Sequence, residues 1–367
     1  MYECMNLWMY ELKKEFVAQI LNKEICVANF NYHSYIRKFV HSYIKNRRFC
    51  KMTLDKIVES IESAEDIVIL THDLPDGDAI GSSLAMYLGL KQLNKTVDII
   101  IPEYSGTFNF LPGIDEVKKE GKSAPYDVAI SLDCGDVKRL NGFEKYFEDA
   151  KTKIQIDHHK INTMFGDYNF VNPMAPACSQ ILILVLETLG IEITKEIGTC
   201  LLTGIITDTG GFKYQGVTAE TFEFTAGLLT RGVNVSSIYK KVMQTVSKAR
   251  FELTKRAMNR LEFLEDGKIA FTCITKQDLM ETQSGINDHD GIVEMGRDVE
   301  GVEISIFLRE KEDGYKISLR SNEYVNVADI CLMFSGGGHL RAAGGDINLP
   351  LDQAKEKIVA VCAKKLM

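Results

Sequence analysis

The sequence predicts an α/β protein: a doubly wound, mostly parallel sheet followed by a second, smaller α+β domain. Three observations carry that expectation. From residue 52 onward, short apolar runs at 67–70, 97–101, 128–132 and 153–156 alternate with helical stretches, the rhythm of β-loop-α units. Three of these runs lead into acidic or histidine residues: His72, Asp76 and Asp78 after the first, Asp133 after the third, and Asp157-His158-His159 after the fourth. Past residue 250 the order changes to strand-like 269–274, 302–308 and 315–320, a helix from Val327, a Gly-rich turn and a closing helix.

Composition bounds the answer further. The chain has 367 residues, 43 Lys plus Arg against 51 Asp plus Glu, and net charge -8. That length suits two domains, each with its own core. No stretch is apolar for long enough to span a bilayer, and the opening MYECMNLWMYELKKEF lacks the pattern of a signal peptide. Neither a membrane span nor secretion is expected. Nine scattered cysteines without a CxxC argue against a disulfide framework or a structural zinc, and for a reducing cytoplasm. The acidic balance argues against a broad basic face, and so against long duplex DNA as a ligand.

Residues 1–51 contain no Gly, Pro, Asp or Thr, yet hold five of the 14 Tyr and the single Trp8. Nine Lys and Arg against four Glu give this segment +5, so residues 52–367 carry -8 minus 5, or -13. Three readings are open: a basic arm for RNA or membrane, a small helical extension, or coding sequence assigned from too far upstream. Arg47-Arg48 can be encoded as a ribosome-binding string shortly before Met52, which motivates the last. The remainder divides into a first domain at 52–238, a helical linker at 239–255 and a second domain at 256–367.

The chemistry follows from where the polar residues fall. In open parallel sheets the carboxyl ends of the strands face the ligand crevice, so His72, Asp76, Asp78, Asp133, His158 and His159 would converge there. Asp208, in the Gly-flanked turn TDTGGF, is a further carboxylate. Crowded carboxylates repel one another unless a cation neutralises them. Two divalent ions about 3.5 to 4 Å apart, bridged by one carboxylate, use the whole set and suit in-line displacement at phosphorus. Carboxylate and imidazole ligands without thiolate fit Mn2+ best, with Mg2+, Co2+ or Fe2+ as substitutes. Any one of these residues alone reads better as a cap or turn residue; the ordered set HxxxDxD, D, DHH, D outweighs that reading.

In the second domain, Gly336, Gly337 and Gly338 let backbone N–H groups approach an anion, and His339, Arg341 and Arg320 can add charge-assisted bonds to phosphate. A helix C-cap and tight turn would explain the glycines but not the charged neighbours. Cys134 reads as a packing residue, Ser82 and Ser83 as helix first-turn residues, Met86, Tyr87, Phe222 and Phe224 as core, and Asp288-His289-Asp290 as solvated surface.

THDLPDGDAIGS, SLDCGD, DHH and TDTGGF resemble the four motifs of the DHH phosphoesterase superfamily, over roughly residues 60–345. GGGHLRAAGG at 336–345, preceded by SLRS at 318–321, resembles the DHH-associated C-terminal domain that grips substrate. Size and motif spelling are similar to the cytoplasmic NrnA-like branch, bifunctional oligoribonucleases and 3′-phosphoadenosine 5′-phosphate (pAp) phosphatases. The resemblance implies two Mn2+ ions, one held by His72, Asp76 and Asp133 and the other by Asp78, Asp133, His158 and Asp208, with Asp133 bridging. It implies that His159 meets the scissile phosphate while Asp157 orients its neighbours, and that Arg320, Ser321, Gly336, Gly337, Gly338, His339 and Arg341 bind substrate. Short single-stranded RNA, dinucleotides and pAp are then the substrates; a homodimer is compatible with the family. Rival readings are a linear or cyclic diadenylate phosphodiesterase, a RecJ-like exonuclease, a pyrophosphatase and a non-catalytic RNA-binding module that kept the fold.

Overall fold

The computed structural model describes residues 48–366 except 102, 124, 215, 286 and 287, so the unusual segment before residue 48 lies outside the described residues. The chain divides into two units between Met243 and Gln244. The first comprises α1 (Arg48–Ser63), β1 (Asp66–Leu70), α2 (Gly77–Gln92), β2 (Thr96–Ile100), β3 (Val117–Lys118), β4 (Val128–Leu132), α3 (Glu144–Glu148), β5 (Thr152–Asp157), β6 (Tyr168–Val171), α4 (Cys178–Thr188), α5 (Lys195–Asp208), α6 (Ala219–Thr230) and α7 (Val235–Tyr239). Its six strands run in the order β3-β2-β1-β4-β5-β6, and every pairing is parallel.

The apolar runs explain why this sheet is buried on both faces. Ile67 and Ile69 enter a core shared with α1, α2, α4 and α5, whereas Val68 and Leu70 enter a second core with Leu140 and Phe147 on the opposite face. A strand covered on both sides needs apolar residues at every position rather than at alternate ones. The edge strands β3 and β6 are short or polar, VK and YNFV, and carry no such signature. The winding direction reverses between β1 and β4, the position where open parallel sheets form a crevice.

Helix α2 packs on α5 through glycines. A Cβ at Gly81 would stand 2.5 Å from the Cys200 carbonyl, and one at Gly77 would stand 2.5 Å from the Thr207 side chain. Ser82 and Ser83 lie in the second turn of α2, not the first, because Asp76 caps the helix and Gly77 begins it. Met86, Tyr87 and Phe224 are buried as expected. Phe222 is not core: its ring is 53% exposed and stacks on Phe212 at 5.3 Å.

The second unit comprises α8 (Lys248–Asn259), β7 (Glu262–Leu264), β8 (Ile269–Ile274), α9 (Lys276–Thr282), α10 (Ile292–Arg297), β9 (Ile304–Lys311), β10 (Gly314–Ser321), α11 (Val327–Leu332), β11 (Gly337–His339), β12 (Ala342–Ile347) and α12 (Leu351–Ala363). Its sheet, β11-β12-β10-β9-β8-β7, is antiparallel except for the β8/β9 pair. Leu253 and Ala257 of α8 are buried against Ile274, Ile292 and Phe307, so residues 248–255 belong to this unit rather than to a linker. The Gly-rich stretch forms a hairpin instead of a free turn: Gly337 pairs with Gly344 and Gly338 with Ala343. Among the described residues no helix is long and apolar enough to cross a membrane.

Gly81→Ala should lower the stability of the first unit by about 1–3 kcal/mol, the usual cost of overpacking, although alanine is the better helix former. Denaturant unfolding checks this, and an unchanged or raised midpoint would mean that α2 and α5 separate freely.

Candidate metal centre

The site is assembled at the carboxyl ends of β1, β4 and β5 and the ends of α2 and α5. His72 is buried, with Nδ1 2.5 Å from the Asp73 carbonyl and Nε2 3.9 Å from Asp133 Oδ2. An Nδ1–H donated to that carbonyl leaves the Nε2 lone pair for a metal. His158 is arranged alike: Nδ1 is 3.2 Å from the Ala175 carbonyl, and Nε2 is 3.1 Å from Asp208 Oδ2, 3.3 Å from Asp133 Oδ1 and 3.9 Å from Asp78 Oδ2.

Each carboxylate is held by the fold. Asp76 accepts hydrogen bonds from the backbone N–H of Asp78 (2.9 Å) and Ala79 (3.1 Å), capping α2 while remaining exposed. Asp78 is fully buried and accepts from the N–H groups of Cys178 (2.5 Å) and Ser179 (2.9 Å), where the start of α4 favours negative charge. Asp208 closes α5 as its last helical residue, one step before the glycine turn. Asp133 adopts a left-handed conformation, φ 54°, that Asp tolerates better than most residues.

Ligand atoms fall into three groups lying within 4.8 Å of one another: His72, Asp76 and Asp133; Asp78, His158 and Asp208; and Asp133, His158 and His159. Asp133 Oδ1 is buried and accepts no hydrogen bond. A cation fits this donor set, because it would satisfy the orphaned oxygen and relieve the crowding. The titration behaviour shows that crowding. Burial first, then the charge of Asp133, raises Asp78; Asp76 is raised as well, because its carboxyl loses water where it meets the other acids although the residue as a whole is exposed, and because Asp133 lies beside it. Burial raises Asp208 to about 6 against the pull of His158. Burial opposes protonation of His158, yet the carboxylates of Asp133 and Asp208 beside it, then that of Asp78, push it up to about 12. Burial also works against ionised Asp133, but His158, then His159 and His72, hold it below the ordinary range.

Asp157 is buried and accepts from His158 N–H (2.8 Å), His159 Nδ1 (2.7 Å) and Asn162 Nδ2 (2.6 Å). With Nδ1 committed to Asp157, the Nε2 of the one-third-exposed His159 is left for another partner. Sequence reasoning missed three neighbours. Asn162 steadies Asp157 and lies only three residues past the DHH motif. Gly204 leaves no room for a Cβ beside Ser179 Oγ and Asp78 Oδ1. Arg139 places NH2 3.0 Å from His72 Nδ1. The last two sit at no recognisable motif.

In the second unit, antiparallel register sets Arg320 opposite Ala342 and Ala342 opposite His339, so the two basic residues share one sheet face across an alanine. Arg320 Nε is 2.9 Å from Glu294 Oε1. Ser321 is turned inward, contrary to expectation, buried with its hydroxyl on the Val325 carbonyl (2.7 Å), while the half-buried Arg341 donates to the carbonyls of Val325 and Glu323. Strand alternation puts Ser321 on the core face. Gly336 has no space for a Cβ against the Gly344 backbone, a packing reason for that glycine. Asp288-His289-Asp290 lies at the surface as expected, with Asp290 exposed and the other two half-buried, and is held there: Asp288 accepts from Ser247 Oγ and Gly285 N–H, Arg250 donates to the Asp290 carbonyl, and the His289 ring faces Phe307.

Residues 66–205 match the DHH family, N-terminal domain, and residues 286–366 match the DHHA1 domain. Over 313 residues the chain is 34% identical to a Thermus thermophilus protein named bifunctional oligoribonuclease and PAP phosphatase NrnA, spanning 84% of this chain and 93% of the relative. The chain belongs to the DHH family. Another structural relative, an exopolyphosphatase-related protein from Bacteroides fragilis, matches with TM-score 0.80 at 30% identity over 86% of this chain and 96% of that one. RecJ from Thermus thermophilus, crystallised with Mn2+, shares the fold at TM-score 0.53 and 14% identity, over 86% of this chain and 54% of RecJ. The DHH tripeptide of the family is Asp157-His158-His159 here.

Two outcomes follow from this geometry. A carboxylate raised to about 6 is free to bind a cation above that pH and carries a competing proton below it. Manganese affinity, measured by calorimetry, should therefore weaken more steeply as pH falls through about 6, where Asp208 takes up a proton in addition to the one that metal displaces from His158. Gly204→Ala should displace Asp78 and lower manganese affinity by at least about tenfold, the scale on which disturbed ligand support acts, with the far-ultraviolet circular dichroism unchanged.

Proposed function

We propose that this protein is a cytoplasmic, manganese-dependent phosphoesterase that hydrolyses short oligoribonucleotides to 5′-mononucleotides and removes the 3′-phosphate of pAp. One observation carries the reading: Asp133 belongs both to the ligand group of His72 and Asp76 and to the cluster around His158. The name of the Thermus thermophilus relative supports the substrate class.

In this reading His72, Asp76 and Asp133 hold one ion, and Asp78, Asp133, His158 and Asp208 hold the other. Bound divalent ions supply a nucleophilic water at neutral pH and neutralise charge on the attacking and leaving oxygens. The chain's own residues do the rest. The Ala175 and Asp73 carbonyls fix the imidazole tautomers that leave Nε2 free. Asp157 holds His159 by Nδ1, so that Nε2 can donate a hydrogen bond to phosphate or a proton to the leaving oxygen. The Asp157 hydrogen bond also raises the His159 pKa, favouring the donor form. In the second unit Arg320 and His339 place hydrogen-bond donors on one sheet face, a surface whose chemistry suits a phosphate group. Ser321 supports that face from the core side, Arg341 holds the neighbouring turn through the Val325 and Glu323 carbonyls, and Gly336 and Gly338 let the edge strand lie against β12 where a Cβ would clash.

The test is hydrolysis by manganese-loaded protein of a short RNA, pAp, and linear and cyclic diadenylate. RNA and pAp should turn over. Asp133→Ala should reduce kcat/KM by more than about 100-fold, and Asp157→Asn by about 10- to 100-fold, the loss typical of an outer hydrogen-bond partner. Opening of cyclic diadenylate alone would assign the protein to signalling, and no turnover of any substrate would leave an RNA-binding module.

A further inference from the structure

Arg139 stands at the edge of the metal centre on a short 3-10 turn after Asp133. Its NH2 is 3.0 Å from His72 Nδ1, and the same nitrogen of His72 is 2.5 Å from the Asp73 carbonyl. Only one of these contacts can be a hydrogen bond at a time. A guanidinium cannot accept, so Nδ1 either accepts from Arg139 or gives its proton to Asp73. At 2.5 Å from a carbonyl oxygen, which can only accept, Nδ1 carries the proton and donates it to Asp73. Arg139 then faces an N–H and has no acceptor there. Its remaining contact, Nε to Asp73 Oδ1 at 3.8 Å, is longer than a hydrogen bond, and the side chain is 42% exposed. The backbone is fixed independently, since Asp73 N–H donates to the Arg139 carbonyl at 2.7 Å.

We infer that Arg139 is a substrate-binding residue that grips the non-scissile phosphate. The inference rests on the proposed phosphoesterase reading and deepens it. Position selects which phosphate. Arg139 contacts the Nδ1 side of the His72 ring, while Asp133 faces the Nε2 side, so an imidazole's width separates the guanidinium from the shared carboxylate. The scissile phosphate belongs at the ions, and a cation set back by that width meets the next phosphate along. A planar fork of donors suits phosphate and would favour bisphosphorylated or oligomeric substrates over a lone 3′-phosphate.

The experiment compares wild type, Arg139→Gln and Arg139→Lys on pAp and on 3′-AMP, which lacks the second phosphate. With manganese, Arg139→Gln should lower kcat/KM for pAp by about 10- to 100-fold, the scale of one charge-assisted bond, through KM, and leave 3′-AMP nearly unchanged. Arg139→Lys should fall between. Calorimetry with calcium in place of manganese reads binding without turnover: wild type should prefer pAp to 3′-AMP, and Arg139→Gln should lose that preference. Manganese affinity should change by less than about tenfold, the smallest effect expected of a group that orients a ligand. Equal losses on both substrates, a larger loss of manganese affinity, or no preference for pAp in wild type would overturn the inference. If wild type bound pAp in preference to 3′-AMP and lost that preference in Arg139→Gln, but hydrolysed neither, the phosphatase reading would fall while Arg139 kept its role.

Discussion

The close approach of α2 to α5 is the contact on which the centre depends. Gly77 and Gly81 on one helix meet Thr207, Cys200 and Gly204 on the other with no room for a Cβ. Helices normally pack 8–10 Å apart with side chains between them; removing those side chains lets the first turn of α2 and the last turn of α5 share one place. Asp78 and Asp208 are thereby set around the same imidazole, His158. Neither helix alone could do this. The glycine contact also keeps Ser179 Oγ and Asp78 Oδ1 where the α4 amides can hold the carboxylate.

That arrangement concentrates negative charge where water is scarce. Asp78, Asp133 and Asp157 are all buried, and Asp208 is largely enclosed. The three were stabilised differently. Asp78 rests on helix amides and Asp157 on three donors, whereas Asp133 meets only imidazole nitrogens beyond good hydrogen-bond geometry. A buried carboxylate without donors is expensive unless a cation completes it. The fold therefore surrounds the outer acids with hydrogen-bond donors and leaves the central one unfinished. The left-handed backbone at Asp133 belongs to the same logic, since strain of that kind persists where surrounding structure enforces it.

Much of this was legible in the sequence for physical reasons. A strand buried on both faces must be a continuous apolar run, so β1, β4 and the inner part of β5 announced themselves, and polar residues directly after such runs had to lie at the crevice. Edge strands β3 and β6 had no such constraint and left no trace. The Gly336–Gly338 stretch looked like a turn because glycines mark turns more often than hairpins; its real cause is backbone contact with Gly344, a partner visible only once β12 is paired. Phe222 and Ser321 were misplaced by the same limit. Each sits in a sequence context that fits either face of its element, and only the neighbours decide. Gly204 and Arg139 lie beside Asp78 and His72, more than sixty residues away in the chain and beyond the reach of any local pattern.

The thiols near the centre sharpen its chemistry by staying out of it. Cys134 follows Asp133 directly, and Cys178 lends its N–H to Asp78. Both are fully buried, and burial pushes Cys134 up to about 12 and Cys178 well above the ordinary thiol range. Each sulfur also points at a carbonyl, Cys134 at Asp136 and Cys178 at Ile156. A thiol that cannot ionise is a poor ligand, because the thiolate is the form that binds metal. The centre thus keeps only oxygen and imidazole donors, although sulfur lies one residue from its central carboxylate. That donor set disfavours thiophilic ions such as copper(I) and leaves manganese, magnesium and iron as the matching choices. Local burial, rather than the absence of cysteine, is what makes the ligand set hard.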